Sequence, residues 1–311
     1  MFNKINLQTL RRPDGKYLLD VFDLKLVSNL KDLLKKGPEN AQITSKIAFL
    51  EGNPDFNSIG TPAGGGNTNR GATEDTNDYT APGSWRIPPE TRGLKLSRLP
   101  GSEKEVQSIA ALFQKNGWTV ATALDKNATE EAVKKVKSPA VLHLATHGYF
   151  LENERKSRQT IGFEEQYVGQ NPLLRSMLFF AGAQNALDGK PAPLREDGIL
   201  TAYEVQNLNL ERTELVVLSA CNSGLGKIEN GEGVMGLQRA FRVAGAKTVI
   251  MSLWEADDAV TQLLMSTFYE TWLAGKTKAE AFRTAQKRVK EKYPQPFFWG
   301  AFVMMNEARP K

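Results

Sequence analysis

One cysteine and two histidines are all that this chain of 311 residues has of the side chains that most often build disulfides and transition-metal sites. Cys221 has no disulfide partner and no second thiolate for a metal, and an unpaired cysteine suits a reducing compartment. His143 and His147 are four apart, but a zinc site wants that spacing on a helix with further ligands, and here it falls on a strand-like run. No stretch approaches the roughly 20 apolar residues of a membrane helix. The amino terminus, Met1 to Asn6, lacks the apolar core of a signal peptide, so the expected compartment is the cytoplasm. The formal charge of +5 and pI of about 9.1 come from lysines and arginines spread along the chain, which falls short of a nucleic-acid signature. There is no repeat period, which excludes a solenoid within the chain. Gly231-Glu232-Gly233 has neither a Walker lysine nor dinucleotide glycine spacing, and Ser219 and Ser223 do not sit in a Gly-x-Ser-x-Gly elbow. Nucleotide binding and that type of serine hydrolase drop out, and no cofactor or metal is expected.

What is there centres on two apolar runs. Leu215-Val216-Val217-Leu218-Ser219-Ala220-Cys221-Asn222-Ser223-Gly224 reads as a buried parallel strand that ends in small residues, with Cys221 at its carboxyl end. Ala140-Val141-Leu142-His143-Leu144-Ala145 has the same character and runs into the turn Thr146-His147-Gly148. In an open α/β sheet ligands bind at that edge. If the strands are neighbours, Cys221 and His147 meet in a crevice there as nucleophile and base. His143, inside its strand, reads as a core residue.

The remaining segments supply a frame. Lys16 to Val27 predicts one or two strands, and Ser28 caps a short helix through Lys36. Ile47 to Leu50 predicts a buried strand. From Asn53 to Leu96 the chain turns to Gly, Asn, Thr and Pro, with little to bury, and reads as a mobile or loosely packed insertion. It carries Arg70, Arg86 and Arg92, which a peptidase could cut. Ser102 with Glu105 reads as a capping box that opens a helix with Val106, Ile109, Ala110 and Phe113 on one face. Trp118 to Val120 is a strand, and Asn127 with Glu130 starts the next helix. A strand over 173–180 lies between polar loops at 151–171 and 184–197, and 199–205 reads as a short helix. Val234, Leu237, Phe241 and Ala244 mark a helix face, and 248–251 is a strand. A helix through Val260, Leu264 and Phe268 ends at Gly275, Thr277 with Glu280 caps the last helix, and 302–305 closes the sheet as an edge strand. Alternating strands and helices predict an α/β fold with a mostly parallel sheet.

His-Leu-Ala-Thr-His-Gly at 143–148 and Leu-Ser-Ala-Cys-Asn-Ser-Gly at 218–224 resemble the two catalytic segments of the CHAT domain, a caspase-like (clan CD) cysteine peptidase family related to separase and the caspases. The likeness continues through Gly231 to Leu237, Ala244-Gly245-Ala246, Ser252-Leu253-Trp254 and Phe298 to Phe302. It implies a caspase-like three-layer sandwich, with helices on both faces of the sheet. It divides the chain into amino-terminal strands and a helix over 1–52, the insertion over 53–96, and the catalytic core over 97–311. The family has more structure upstream than this chain carries, so 1–52 reads as truncated. The implied activity is endopeptidase: Cys221 as nucleophile, His147 as general acid and base, and the backbone N–H groups of Gly148 and Cys221 as the oxyanion hole. Ser252 to Asp258 resembles the separase stretch whose final aspartate reads arginine, which makes Asp258, with Asp257 beside it, the expected reader of a basic residue in a protein substrate. The two acids also begin a helix, where the dipole alone favours them, so both readings stay open. The expected partner is an activating or inhibiting module, a helical repeat or a sensor domain, for a role in bacterial defence or programmed cell death. The alternative is a catalytically idle scaffold that binds a partner peptide.

Overall fold

The computed structural model describes residues 6–24, 26, 45–58, 91, 93–150, 172–190, 196–220, 232–254 and 256–306. Cys221, the expected Ser28 helix, the loop at 151–171 and Arg70, Arg86 and Arg92 lie outside the described residues. In chain order the elements are α1 (Leu18–Val21), β1 (Ile47–Pro54), α2 (Pro100–Lys115), β2 (Thr119–Asp125), α3 (Glu130–Lys134), β3 (Val141–Ala145), β4 (His147–Phe150), β5 (Ser176–Phe179), α4 (Ala183–Leu187), β6 (Ile199–Thr201), α5 (Ala202–Val205), β7 (Leu215–Leu218), α6 (Glu232–Val243), β8 (Thr248–Ser252), α7 (Asp258–Leu273), α8 (Lys278–Lys292), α9 (Pro296–Trp299) and β9 (Phe302–Asn306).

The apolar runs of β3, β7 and β8 are buried along their whole length because helices cover both faces of the sheet they form. Its strand order is β2-β1-β3-β7-β8-β9. All neighbours are parallel except β9, which closes the edge antiparallel to β8. Alternation divides the side chains. Val141, Ala145, Leu215 and Val217 face α2, α7 and α8, against Val106, Phe113, Val260 and Phe268. Leu142, Leu144, Val216 and Leu218 face α3, α5 and α6, against Val133, Val205, Leu237 and Phe241. Burying each such side chain contributes roughly 1.5–3 kcal/mol. The three layers of the expected α/β fold are therefore present.

A second sheet, antiparallel in order β4-β5-β6, stands apart from the first. Its apolar residues Tyr149, Met177, Phe179 and Ile199 pack with Phe56 and Leu96. Both ends of the Gly/Asn/Thr/Pro-rich stretch are thus tied into a core. Its composition had masked these two anchors.

Several local expectations are corrected. The described residues between Lys16 and Val27 form no strand: Tyr17 and Leu26 make only isolated bridges, to Arg11 and Met305, and α1 lies between them. Asp20 accepts from the Tyr17 backbone N–H at 3.0 Å and pairs with Lys290 at 2.6 Å, which favours a helical turn over extended chain. Residues 199–205 split into β6 and α5, with Thr201 as cap. The cap of α3 is Thr129, whose hydroxyl accepts from the Ala132 N–H; Asn127 does not cap it. α2 starts at Pro100, ahead of the supposed box, and Ser102 donates to the Leu99 carbonyl. Glu105 points inward instead of back at a cap.

Candidate active site

β3 and β7 lie side by side with Leu144 opposite Leu218, and the Ser219 N–H extends the ladder to the Leu144 carbonyl at 2.9 Å. The strands that lead to His147 and Cys221 are therefore neighbours. At Thr146 the chain leaves the central sheet, and the Thr146 hydroxyl donates to the Phe179 carbonyl. His147 opens β4 opposite Phe179, so it begins a strand of the second sheet and does not sit in a turn. Gly148 packs on the approach to Cys221: a Cβ on it would stand 3.6 Å from both the Cβ and the carbonyl oxygen of Ala220. That carbonyl accepts from the buried Ser252 hydroxyl at 2.9 Å, which fixes the end of β7 from the β8 side.

His147 is nearly covered, with 2% of its surface exposed. Its ring lies 5.2 Å from that of Phe56, and Nε2 stands 2.8 Å from the Ser97 carbonyl oxygen. A carbonyl only accepts, so Nε2 carries the hydrogen and the lone pair of the neutral ring is on Nδ1. Burial pulls the His147 pKa below the ordinary imidazole value, and the Ser97 bond opposes this in part. A neutral imidazole with its basic nitrogen defined is what a general base needs.

Beneath this site the inner faces carry a buried polar chain. His143 and Ser219 both point toward α2, as the parity of Val141, Leu215 and Val217 requires. The Ser219 hydroxyl donates to Glu105 Oε2 at 3.1 Å. Glu105 Oε1 lies 3.1 Å from His143 Nε2, off the line of an aligned hydrogen bond. His143 Nδ1 lies 3.1 Å from the Tyr269 hydroxyl. Burial, with the Glu105 charge, pushes the Tyr269 pKa well up, so its hydroxyl keeps its proton and is able to donate to Nδ1 of a ring that carries its hydrogen on Nε2, toward Glu105. His143 is a core residue, as its place inside the strand implies. Glu105 and the Ser97 carbonyl are the residues that sequence reasoning missed. Glu105 was legible in principle, since it shares a helix face with Val106, Ile109 and Phe113; the Ser97 backbone atom left no signal.

The start of α2 is held by Asn53, whose left-handed conformation, φ 47°, a short amide side chain tolerates. Its N–H donates to the Ser102 hydroxyl at 2.8 Å, its side-chain amide donates to Glu103 at 2.8 Å, and its oxygen accepts from the Leu99 N–H at 3.1 Å. Asp257 and Asp258 are both exposed at the start of α7. The Asp257 carboxylate is engaged as the helix cap, accepting from the Ala259 N–H at 2.8 Å. Asp258 lies directly against Gly101, where a Cβ would fall 2.0 Å from its Oδ2.

Among the described residues, the acidic side chains close enough to share a cation are Glu130, Glu196 and Glu204, with oxygens within 4.8 Å of one another. The Lys134 ammonium already sits among them, at 2.6, 2.6 and 3.0 Å from the three carboxylates. Burial pushes the Glu130 pKa up to about 8, with the Asp197 charge adding to it. The cluster reads as a partly buried network around Lys134 that ties α3 to α5.

Compared with known proteins, the chain is 32% identical over 126 residues to tetratricopeptide repeat protein 28 of Homo sapiens, and 32% identical over 115 residues to its Mus musculus counterpart. These stretches are 39% and 36% of this chain and 5% of each relative, so the chain spans a small part of the curated relatives it matches. Among solved structures it is similar to the Arg-specific cysteine proteinase gingipain R, at a TM-score of 0.44 and 10% identity, over 86% of this chain and 48% of that one. The match that covers nearly the whole chain, from the amino-terminal segment through β9, is to the CHAT domain over residues 2–307, and the chain belongs to the CHAT domain family.

Proposed function

We propose that this chain is a caspase-like cysteine endopeptidase. Cys221 attacks the peptide carbonyl, His147 takes the thiol proton through Nδ1 and delivers it to the leaving amine, and water then releases the acyl-enzyme. The N–H groups of Gly148 and Cys221 hold the oxyanion; losing one such donor typically costs about 10²-fold or more. Asp258, with Asp257 beside it, favours a basic residue at the cleaved position, since a carboxylate takes a guanidinium in two parallel hydrogen bonds. The substrate is a protein, the compartment is the cytoplasm, and a separate module regulates the site. A helical-repeat module fits that role, given that the matched relatives are named tetratricopeptide repeat proteins.

The observation that carries this reading is the packing of Gly148 on Ala220, which brings the residue after His147 against the residue before Cys221. Labelling with a peptidyl acyloxymethyl ketone tests it. The expected result is one covalent adduct in the wild type and none in Cys221→Ala or His147→Ala. An unlabelled wild type that still binds the peptide would favour an idle scaffold.

A further inference from the structure

We propose that Glu105 and Ser219 are positioning residues for the reaction, and that the segment from Ser97 to Glu105 holds both halves of the site in register. The inference rests on the reading of Cys221 and His147 as the reacting pair. At one end of this segment the Ser97 carbonyl accepts from His147 Nε2–H. Further along, the Glu105 carboxylate accepts from the Ser219 hydroxyl, two residues before Cys221 in the chain. Between them, Asn53 ties Leu99, Ser102 and Glu103 to the end of β1. The strands that lead to base and nucleophile are different, and the segment from Ser97 to Glu105 is bonded to His147 on one and to Ser219 on the other.

Core packing alone does not call for this carboxylate. Glu105 is 5% exposed, on the helix face it shares with Val106, Ile109 and Phe113, and an apolar side chain there would avoid the cost of burying a charge. What the carboxylate adds is direction: Oε2 meets Ser219, and Oε1 faces His143, whose other nitrogen is set by Tyr269. With Ser252 on the Ala220 carbonyl, successive residues before Cys221 are held from α2 and from β8. A nucleophile has to lie within hydrogen-bond reach of its base, and small displacements are costly.

The test uses Ser219→Thr, which keeps the hydroxyl, and Ser219→Val, which has the same shape without it. Damage common to both is packing; the difference between them is the bond to Glu105. The readout is the rate of Cys221 alkylation by iodoacetamide, followed by intact mass from about pH 5 to about pH 9. This rate reports on the pair without assuming a peptide substrate. The wild type is expected to react faster than His147→Ala near neutrality. Ser219→Thr should stay near the wild-type rate and Ser219→Val should fall about tenfold. Adding Glu105→Gln to Ser219→Val should cost less than about twofold more, because the bond is already absent. Equal rates for Thr and Val at every pH would overturn the positioning role while leaving the pair intact. Equal rates for wild type and His147→Ala would remove the pair itself, and the proposal with it.

Discussion

The ring of His147 is fixed at Nε2 by the Ser97 carbonyl, 2.8 Å away, from a segment that the sequence separates from it by two strands and two helices. That bond and the surrounding apolar contacts set the behaviour of the site with pH. Burial depresses the folded-state pKa of His147, so protons bind the unfolded chain more readily. The wild type should therefore lose stability as pH falls through the ordinary histidine range, and His147→Ala should show a flatter profile there. Urea midpoints measured at several pH values between about 5 and 8 would check this. The acid limb of peptide cleavage should lie below the ordinary imidazole pKa, and His147→Ala should abolish cleavage.

The sequence expectation put His147 in a crevice at the edge of the sheet. The contact with Phe56 alters that expectation. Truncating a buried ring leaves a cavity, so His147→Ala should lower stability by roughly 1–3 kcal/mol as well as stopping the chemistry. Thermal unfolding of the two proteins at neutral pH reads this.

His143→Ala should act on stability first. It leaves Glu105 and the Tyr269 hydroxyl buried without the imidazole they face, a loss of roughly 1–3 kcal/mol for each buried polar group left unpaired. Chemical denaturation at neutral pH measures it. A His143→Ala protein of unchanged stability would mean the polar chain is spanned by water.

How much of this could be read from the residues varies from place to place. The continuous apolar runs around Val141 and Leu215 and the helical stripe of Val106, Ile109 and Phe113 identified the central sheet and its helices, because burial on two faces leaves a strong pattern. The short strands β4 and β6 stayed hidden: a few residues after Thr146 or before α5 are too brief for periodicity to register. Phe56 and Leu96 were lost in polar surroundings, and α1 was misread because apolar residues alternate through it. His147 and Cys221 stood out by their place at strand ends. The atoms that orient His147 did not, since a backbone carbonyl such as that of Ser97 has no residue signature.

Glu51 offers a separate test on the other face of the sheet. It is fully buried in β1, and neither carboxylate oxygen has a hydrogen-bond partner among the described residues. Burial raises its pKa well above the carboxylate range, so it is protonated in the folded state. A raised folded-state pKa means that stability is lost as pH rises above the ordinary glutamate value, because ionisation favours the unfolded chain. Glu51→Leu should therefore be more stable than wild type, by roughly 1–3 kcal/mol at neutral pH, with a larger gain at alkaline pH. Denaturation profiles that run parallel with pH would sink the idea that Glu51 ionises only on unfolding.

Asp258 allows the charge argument to be separated from the packing argument. Its carboxylate lies against Gly101, so Gly101→Ala must push it aside, since Cβ and Oδ2 cannot sit 2.0 Å apart. If Asp258 reads a basic residue at the cleaved position, Asp258→Ala should cost roughly 2–4 kcal/mol in catalytic efficiency on an arginine substrate and far less on a leucine one. Gly101→Ala should weaken the arginine preference in the same direction, because it displaces the carboxylate without removing it. In the double variant the two losses should overlap instead of adding, since the clash disappears with the carboxylate. Fluorogenic peptides differing only at the cleaved position, assayed with all four proteins, measure each term. Equal losses on arginine, leucine and aspartate substrates would reduce Asp258 to a helix-start residue packed on α2, and a wild-type preference for leucine would remove the acidic pocket from the proposed chemistry.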